Sequence, residues 1–263
     1  MRIRHPEGFS WGYNPITSLN GPHSDMLMDY GILKLHAGLD YSDDAKLEKV
    51  YLLLYGHVTL TCGGKTYDVQ RERFLDDDFW LIDLPEGEAI RVTGIGEDAE
   101  LAVVRTENTN VFPIKVHDKH NSVIEIRGQG YMDETGTRIV KTMMDYALAP
   151  ESKIMIGEDI HYPGKWAGFP SHSHIQPEIY FYKFYPQNGF GLLKLGDEGV
   201  LIEHNDTVTI DPGLVHPQVS APGYAMYFLW IIRHLEGNPY IKPDFEEQHL
   251  WVEKPGAKYW PEG

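Results

Sequence analysis

No stretch of this chain sustains a helical hydrophobic period over a dozen residues, whereas short apolar runs bounded by turn-forming residues recur along its length. In the first half such runs fall at 32–35, 50–55, 58–61, 65–69, 79–82, 90–92 and 101–104, broken by Gly56, Gly63-Gly64, Pro85-Glu86-Gly87 and Gly94-Ile95-Gly96. The pattern resumes at 152–160, 178–184, 189–195, 199–203, 207–210 and 224–233, with turns at Pro186-Gln187-Asn188-Gly189 and Asp211-Pro212-Gly213. Runs of that length between glycine and proline breakers read as strands of a sandwich or barrel, so the chain is predicted to be all-β. It divides into an irregular arm at 1–25, a first lobe at 26–105, a polar crossover at 106–152 with one strand over 137–144, a second lobe at 153–235, and a tail at 236–263 with one short helix over 245–253.

The residues with chemical potential concentrate in the second lobe. In an extended chain side chains at i and i+2 leave the same face, so His172 and His174 can share a cavity, and Glu178 keeps that parity. Imidazole nitrogens with a carboxylate oxygen suit a divalent first-row metal, and His216, after the turn Asp211-Pro212-Gly213, is a candidate fourth ligand. The competing reading is a pair of loop histidines hydrogen-bonded at the surface. The ligand types present together with a distant turn histidine favour the metal, and a faint internal repeat bears on where it sits: Glu48 leads into residues 51–55 as Glu178 leads into 180–184, and Asp78 precedes one turn as Asp206 precedes the other. Three residues past the turn glycine, however, the first half has Ile90 where the second has His216, so only the second lobe is expected to hold the ion.

These features match the cupin pattern of His-x-His, a following Glu, an Asp-to-Gly turn and a final His. With Glu178-Ile179-Tyr180-Phe181-Tyr182-Lys183-Phe184, Asn188-Gly189-Phe190-Gly191, His216-Pro217 and Ala221-Pro222-Gly223-Tyr224, the chain resembles the 5-deoxyglucuronate isomerases of inositol catabolism, relatives of the 4-deoxy-5-hexosulose-uronate isomerase of pectin breakdown. The resemblance runs from Gly31 to Arg233 and implies a bicupin, two antiparallel β-sandwich or jelly-roll barrels in tandem. It implies His172, His174, Glu178 and His216 as ligands of Zn²⁺ or Mn²⁺. The chain departs from the family pattern in the short interval between His174 and Glu178 and in Asn205, which stands where a glycine is expected. The linker stretch Arg127-Gly128-Gln129-Gly130 resembles a family element in a region expected near substrate.

The implied reaction is aldose–ketose isomerisation of a deoxy-uronate, most simply 5-deoxy-D-glucuronate to 5-dehydro-2-deoxy-D-gluconate. Such chemistry needs a Lewis acid for the charge that builds on a sugar oxygen and a nearby group to move a proton. Glu178, Tyr180 and Tyr182 share one strand face and are the candidates, the tyrosines chiefly as hydrogen-bond donors, with aromatic core packing as their alternative role. Arg138 and Arg233 are candidates for the substrate carboxylate, ahead of Lys183, whose parity is opposite to that of Glu178. Gln218, on the face of His216, and His161 are candidates for holding a ligand or substrate in orientation. Two other readings of the same ligand set are a cupin Fe²⁺ dioxygenase and a sugar-binding cupin without catalysis.

Composition bounds the setting. The 39 acidic residues against 23 basic ones, a net charge of −16, oppose nucleic-acid binding. Cys62 is the single cysteine, so no intrachain disulfide can form and a reducing compartment is expected. The longest apolar run, 224–232, is far short of the roughly 20 residues that span a bilayer, and residues 1–8 carry no apolar stretch of signal-peptide length. A cytoplasmic enzyme of a small sugar acid is expected, homo-oligomeric through open sheet edges.

Overall fold

The computed structural model describes residues 1–75, 78–130, 132–254 and 256–261. Strands carry the architecture, and the helical segments among these residues are three short 3-10 turns. One large sheet runs in the order Arg2–Ile3, Thr207–Ile210, Glu178–Tyr185, Ala225–Arg233, Ile154–His161, Arg138–Met144, Val123–Arg127. The other runs Lys115–His117, Leu81–Leu84, Glu48–Cys62, Ala99–Thr106, Asp29–Leu35, Gly12–Thr17. A smaller sheet of Trp166–Ala167, Gln218–Ser220, Phe190–Leu195 and Glu198–Glu203 completes the second lobe. In the first lobe the far half of Glu48–Cys62 pairs with Lys65–Arg71 and Ile90–Gly94. The result is the tandem, antiparallel bicupin that the sequence implies.

Three apolar clusters explain why the central strands are apolar on both faces. On Glu178–Tyr185, Tyr180, Tyr182 and Phe184 point into the interior of the second lobe, where they meet Val208, Met226 and Phe228. Ile179 and Phe181, on the opposite face, enter a cluster between the lobes that also takes Tyr30, Leu52 and Val104 from the first lobe. Tyr51, Leu53, Ile82 and Val103 fill the first lobe's own interior. The two large sheets therefore pack back to back, each closing its own barrel on the outer side.

Several segments differ from their expected form. Residues 1–25 supply two strands: Arg2–Ile3 pairs with Thr207–Ile210 of the second lobe, and Gly12–Thr17 pairs with Asp29–Leu35. Lys115–His117, in the expected crossover, adds to Leu81–Leu84, so the first lobe's sheet extends to residue 117. The expected strand at 137–144 is present as Arg138–Met144, between Val123–Arg127 and Ile154–His161. The tail places Asp244–Phe245 beside His172–Ser173 before a 3-10 turn at Glu247–Glu253. Lone glycine and proline breakers hid these pairings, because a two- or three-residue strand has no periodicity to read.

The repeat is real in topology but slipped by one residue in the sequence reading. Glu178 lies opposite Ile210, and Lys49, not Glu48, lies opposite Leu84. Gly213 and Gly87 each follow those partners by three residues, which fixes the correspondence. A one-residue slip moves a side chain to the other face. Glu48 accordingly turns toward the second lobe, where Asn108, Ser152 and the Lys153 amide donate to it. Lys49 points inward and donates from Nζ to the carbonyl oxygens of Ala45 at 2.7 Å, Leu47 at 3.3 Å and Glu88 at 2.7 Å.

Candidate metal centre

The ligand residues meet at one end of the second barrel. Glu178 opens its strand on the concave face; His172 and His174 lie on the segment just before it. The turn after Thr207–Ile210 is tied to that segment by the Gly213 amide, which donates to the His174 carbonyl at 2.8 Å. This bond swings His216 alongside His174. Ligand atoms of His174, Glu178 and His216 lie within 4.8 Å of one another, all three side chains buried. His172 stands next to this group, its ring edge-on to His216 at a centroid distance of 5.1 Å, and lines the same cavity.

Each histidine is held the same way. The Nδ1 of His172 faces the Pro170 carbonyl at 3.2 Å, that of His174 the Gln176 carbonyl at 2.9 Å, and that of His216 the Leu214 carbonyl at 2.8 Å. A carbonyl oxygen only accepts, so each Nδ1 carries the proton, and in the neutral ring Nε2 presents a lone pair. Two such lone pairs then face one carboxylate oxygen: Glu178 Oε2 is 3.0 Å from Nε2 of His174 and 3.3 Å from Nε2 of His216. Three electron-rich atoms at that spacing call for a cation among them. The donor set of imidazole nitrogens and a carboxylate, with backbone carbonyls fixing the tautomers, therefore fits a divalent metal.

The electrostatics of two of the histidines agree. Burial and the nearby His216 push His172 down to about 4, and burial also lowers His216, so both stay neutral and able to ligate at physiological pH. Burial lowers His174 as well, but the Glu178 carboxylate beside its Nε2 outweighs this and raises it, so in this position either a proton or a cation can stand between the two atoms. Burial pushes the hydroxyls of Tyr180 and Tyr182 well above their ordinary value, next to the Glu178 charge. At neutral pH these tyrosines can donate but not accept a proton.

The cavity has a volume of about 280 Å³ and is lined by the histidines and Glu178 together with Tyr180, Trp230, Arg127 and Lys242. Arg138 lines it, donating from Nε to Asp159 at 3.0 Å and from Nη1 to the Gly136 carbonyl at 2.9 Å. Five other residues weighed from the sequence lie elsewhere. Arg233 spends its guanidinium on Thr106 Oγ1 at 2.6 Å, the Glu107 carbonyl at 2.9 Å and the His234 carbonyl, which ties the two lobes together outside the cavity. Tyr182 sits deeper in the barrel and is fully buried. Gln218 is fully buried on Gln218–Ser220, with no hydrogen-bond partner for its amide among the described residues, and does not line the cavity. Lys183 faces away from Glu178, as its parity predicts, and binds Glu100 at 2.7 Å. His161 packs edge-on to Phe228 at 5.3 Å rather than against a ligand.

Sequence reasoning missed Asp159, Tyr240 and Lys242, which also line the cavity. The tail brings Tyr240 over the centre, its ring 4.8 Å from that of His174 and its amide donating to His234 Nδ1 at 3.0 Å. Arg127 had a signal in its Arg-Gly-x-Gly context. Asp159 had none beyond strand parity with residues not then suspected.

Comparison with known proteins follows from this geometry. A family model described as the KduI/IolB family matches residues 3–252. Among curated proteins no sequence matches the chain. Among solved structures, an IolB-like protein from Salmonella typhimurium LT2 superposes with a TM-score of 0.82 at 20% identity, over 94% of this chain and 97% of that one. A glyoxylate-induced protein from Pseudomonas aeruginosa gives 0.61 at 14% identity, over 82% and 77%. Oxalate decarboxylase from Bacillus subtilis, a bicupin, gives 0.65 at 12% identity, over 96% and 80%, and another structure of that enzyme is described by its Mn(II) centres. At these identities the structural likeness establishes the fold.

Proposed function

This chain belongs to the KduI/IolB family, isomerases of uronate and inositol catabolism, and from that premise we propose that it is a metal-dependent aldose–ketose isomerase of a deoxy-uronate. The first candidate substrate is 5-deoxy-D-glucuronate, giving 5-dehydro-2-deoxy-D-gluconate; 4-deoxy-5-hexosulose-uronate is the alternative. The observation that carries this reading is that one cavity is lined both by the metal-ligand group and by cationic side chains, Arg127, Arg138 and Lys242. A uronate needs both: neighbouring carbonyl and hydroxyl oxygens at one end, a carboxylate at the other.

His172, His174, Glu178 and His216 would hold Zn²⁺ or Mn²⁺. When bound, such an ion supplies Lewis-acid stabilisation for the negative charge that develops on the sugar oxygens. Tyr180 lends a hydroxyl to the sugar, since its side chain borders the cavity and keeps its proton at neutral pH. Glu178 acts as ligand, its Oε2 already shared between two imidazoles. Arg127 and Lys242 bind the carboxylate. The second lobe, 153–235, with the strands Val123–Arg127 and Arg138–Met144 and the tail around Tyr240 and Lys242, is the catalytic unit in this reading; the first lobe, with Lys49 where a ligand would stand, is the scaffold. A cytoplasmic homo-oligomer remains the expected working form.

The test is a panel of uronates assayed anaerobically with the metal as isolated, alongside metal analysis of His216→Ala and Glu178→Gln. Interconversion of an aldo- and a keto-uronate without oxygen is expected, and both variants should lose the metal and turnover together. Turnover that requires oxygen would mean oxygenase chemistry. Full turnover by variants that lack the metal would remove the metal from the mechanism.

A further inference from the structure

Asp159 is built into the cavity wall with more care than a charge-balancing residue requires. It stands on Ile154–His161, opposite Phe228 in register, on the same concave face as Glu178 and Tyr180. Its oxygens are held separately: Oδ1 accepts from Trp230 Nε1 at 3.1 Å, and Oδ2 accepts from Arg138 Nε at 3.0 Å. The indole reaches that position because residue 157 is glycine; a Cβ there would fall on Cζ2 of Trp230 and on the Lys141 carbonyl oxygen. A carboxylate oxygen has two lone pairs, so one donor on each leaves acceptor capacity on both. The residue is 5% exposed, which leaves it desolvated beside the cavity.

The other acid–base candidates are committed. Glu178 faces the histidines, and the hydroxyls of Tyr180 and Tyr182 hold their protons. Asp145, the remaining lining carboxylate, has its Oδ1 on the amides of Ala147 and Leu148, which turns it to the local loop. Burial raises Asp159 from its ordinary value even against the Arg138 charge, which makes it a stronger base than a solvated aspartate once ionised.

Resting on the isomerase reading above, we infer that Asp159 is the group that carries the proton between the two sugar carbons, with Trp230, Arg138 and Gly157 as its positioning residues. The carboxylate takes the proton from the hydroxyl-bearing carbon. The C–H pair becomes the carbon–carbon double bond, and the carbonyl π pair moves onto its oxygen. The remaining hydroxyl proton passes to that oxygen, and the second oxygen's pair re-forms a carbonyl. The double-bond pair then takes the proton back from Asp159 at the neighbouring carbon. The carboxylate is regenerated, and no oxidant or reductant is consumed.

The test compares wild type, Asp159→Asn and Trp230→Phe, each metal-loaded, for turnover, metal content, substrate binding and deuterium uptake at the two carbons in D₂O. Asp159→Asn should lose about 10²-fold or more in kcat, and deuterium uptake with it, while metal content and substrate affinity stay at wild-type levels. Trp230→Phe removes the indole N–H and should lower kcat with little change in KM. If Asp159→Asn does not fold, Asp159→Glu keeps the charge opposite Arg138 and should retain metal while losing kcat. Turnover of Asp159→Asn within a few-fold of wild type overturns the inference. So does loss of metal in parallel with activity, which would make Asp159 a support of the centre. A wild-type enzyme inactive on every uronate would instead overturn the isomerase reading itself.

Discussion

Lys49 occupies in the first lobe the register position that Glu178 holds in the second. Its ammonium meets three backbone carbonyls, so the degenerate lobe closes around a fixed internal cation. Lys49→Met would strand those carbonyls in a region with no exposure at residue 49. The expected cost is about 1–3 kcal/mol, read as a lower urea midpoint, with the metal content of the second lobe unchanged. A midpoint equal to that of wild type would mean that water replaces the ammonium. The contrast also shows what was legible. His174, Glu178 and His216, with His172 on the same cavity, were marked by residue type as a group that the structure brings together, and parity alone put Glu178 and Lys183 on opposite faces correctly. Lys49 did not, because Glu48 beside it mimicked the ligand and only pairing partners could reveal the slip. Asp159 is one of 39 acidic residues and bears no motif, so only the packing of Trp230 and Arg138 around it distinguishes it.

At the scale of elements, the tail changed most between sequence and structure. Its polar, proline-containing composition suggests an arm that docks loosely, and 241 and 245 are indeed exposed. Yet it is pinned along one line: Gln176 Nε2 donates to the Asn238 carbonyl at 3.0 Å, Tyr240 packs on His174, and the Glu246 amide donates to the Ser171 carbonyl at 2.9 Å. Between these points it pairs with His172–Ser173, so the strand that carries a candidate ligand has the tail as its pairing partner. Truncation after Pro239 should leave both barrels folded, because none of the three apolar clusters draws on residues beyond that point. It should raise KM for the uronate or lower metal affinity about tenfold or more, as loss of supporting contacts around a metal site does. Wild-type values for both would reduce the tail to packing. The strands themselves were well marked, since runs such as 178–184 are apolar on both faces; the two-residue pairings that build the roof of the site were not.

Across the whole molecule, the lobes are joined by charge as well as by apolar contact. Arg71 of the first lobe donates to both oxygens of Glu158 in the second, at 2.7 and 3.0 Å, and Tyr227 adds a third bond at 2.7 Å, all fully buried or nearly so. Burial alone would raise Glu158, but Arg71 and Lys141 more than reverse this and hold it below its ordinary value of 4.5. A depressed carboxylate adds stability above the unfolded-state value and loses it as pH falls through the folded-state value. Glu158→Gln should therefore cost about 3–5 kcal/mol near pH 7, where it leaves Arg71 buried without its counter-charge. The gap from wild type should narrow as pH drops below about 4.5, measured as urea midpoints across that range. A gap independent of pH would locate the stabilisation in hydrogen bonding rather than charge.

The opening strand bears on how such a chain comes into being. Arg2–Ile3 finds its partner only at Thr207–Ile210, and the first lobe's sheet is complete only when Lys115–His117 arrives from the crossover. On a ribosome Arg2–Ile3 must therefore wait, unpaired, until Thr207–Ile210 has emerged, whereas the first lobe's sheet can be completed from residues 12–117 alone. Such long sequence separations delay closure and place this topology among the slow folders. The order in which the chain is made is thus not the order in which it can be closed. The same strand that delays closure also means that prying the lobes apart must first unzip Arg2–Ile3 from Thr207–Ile210.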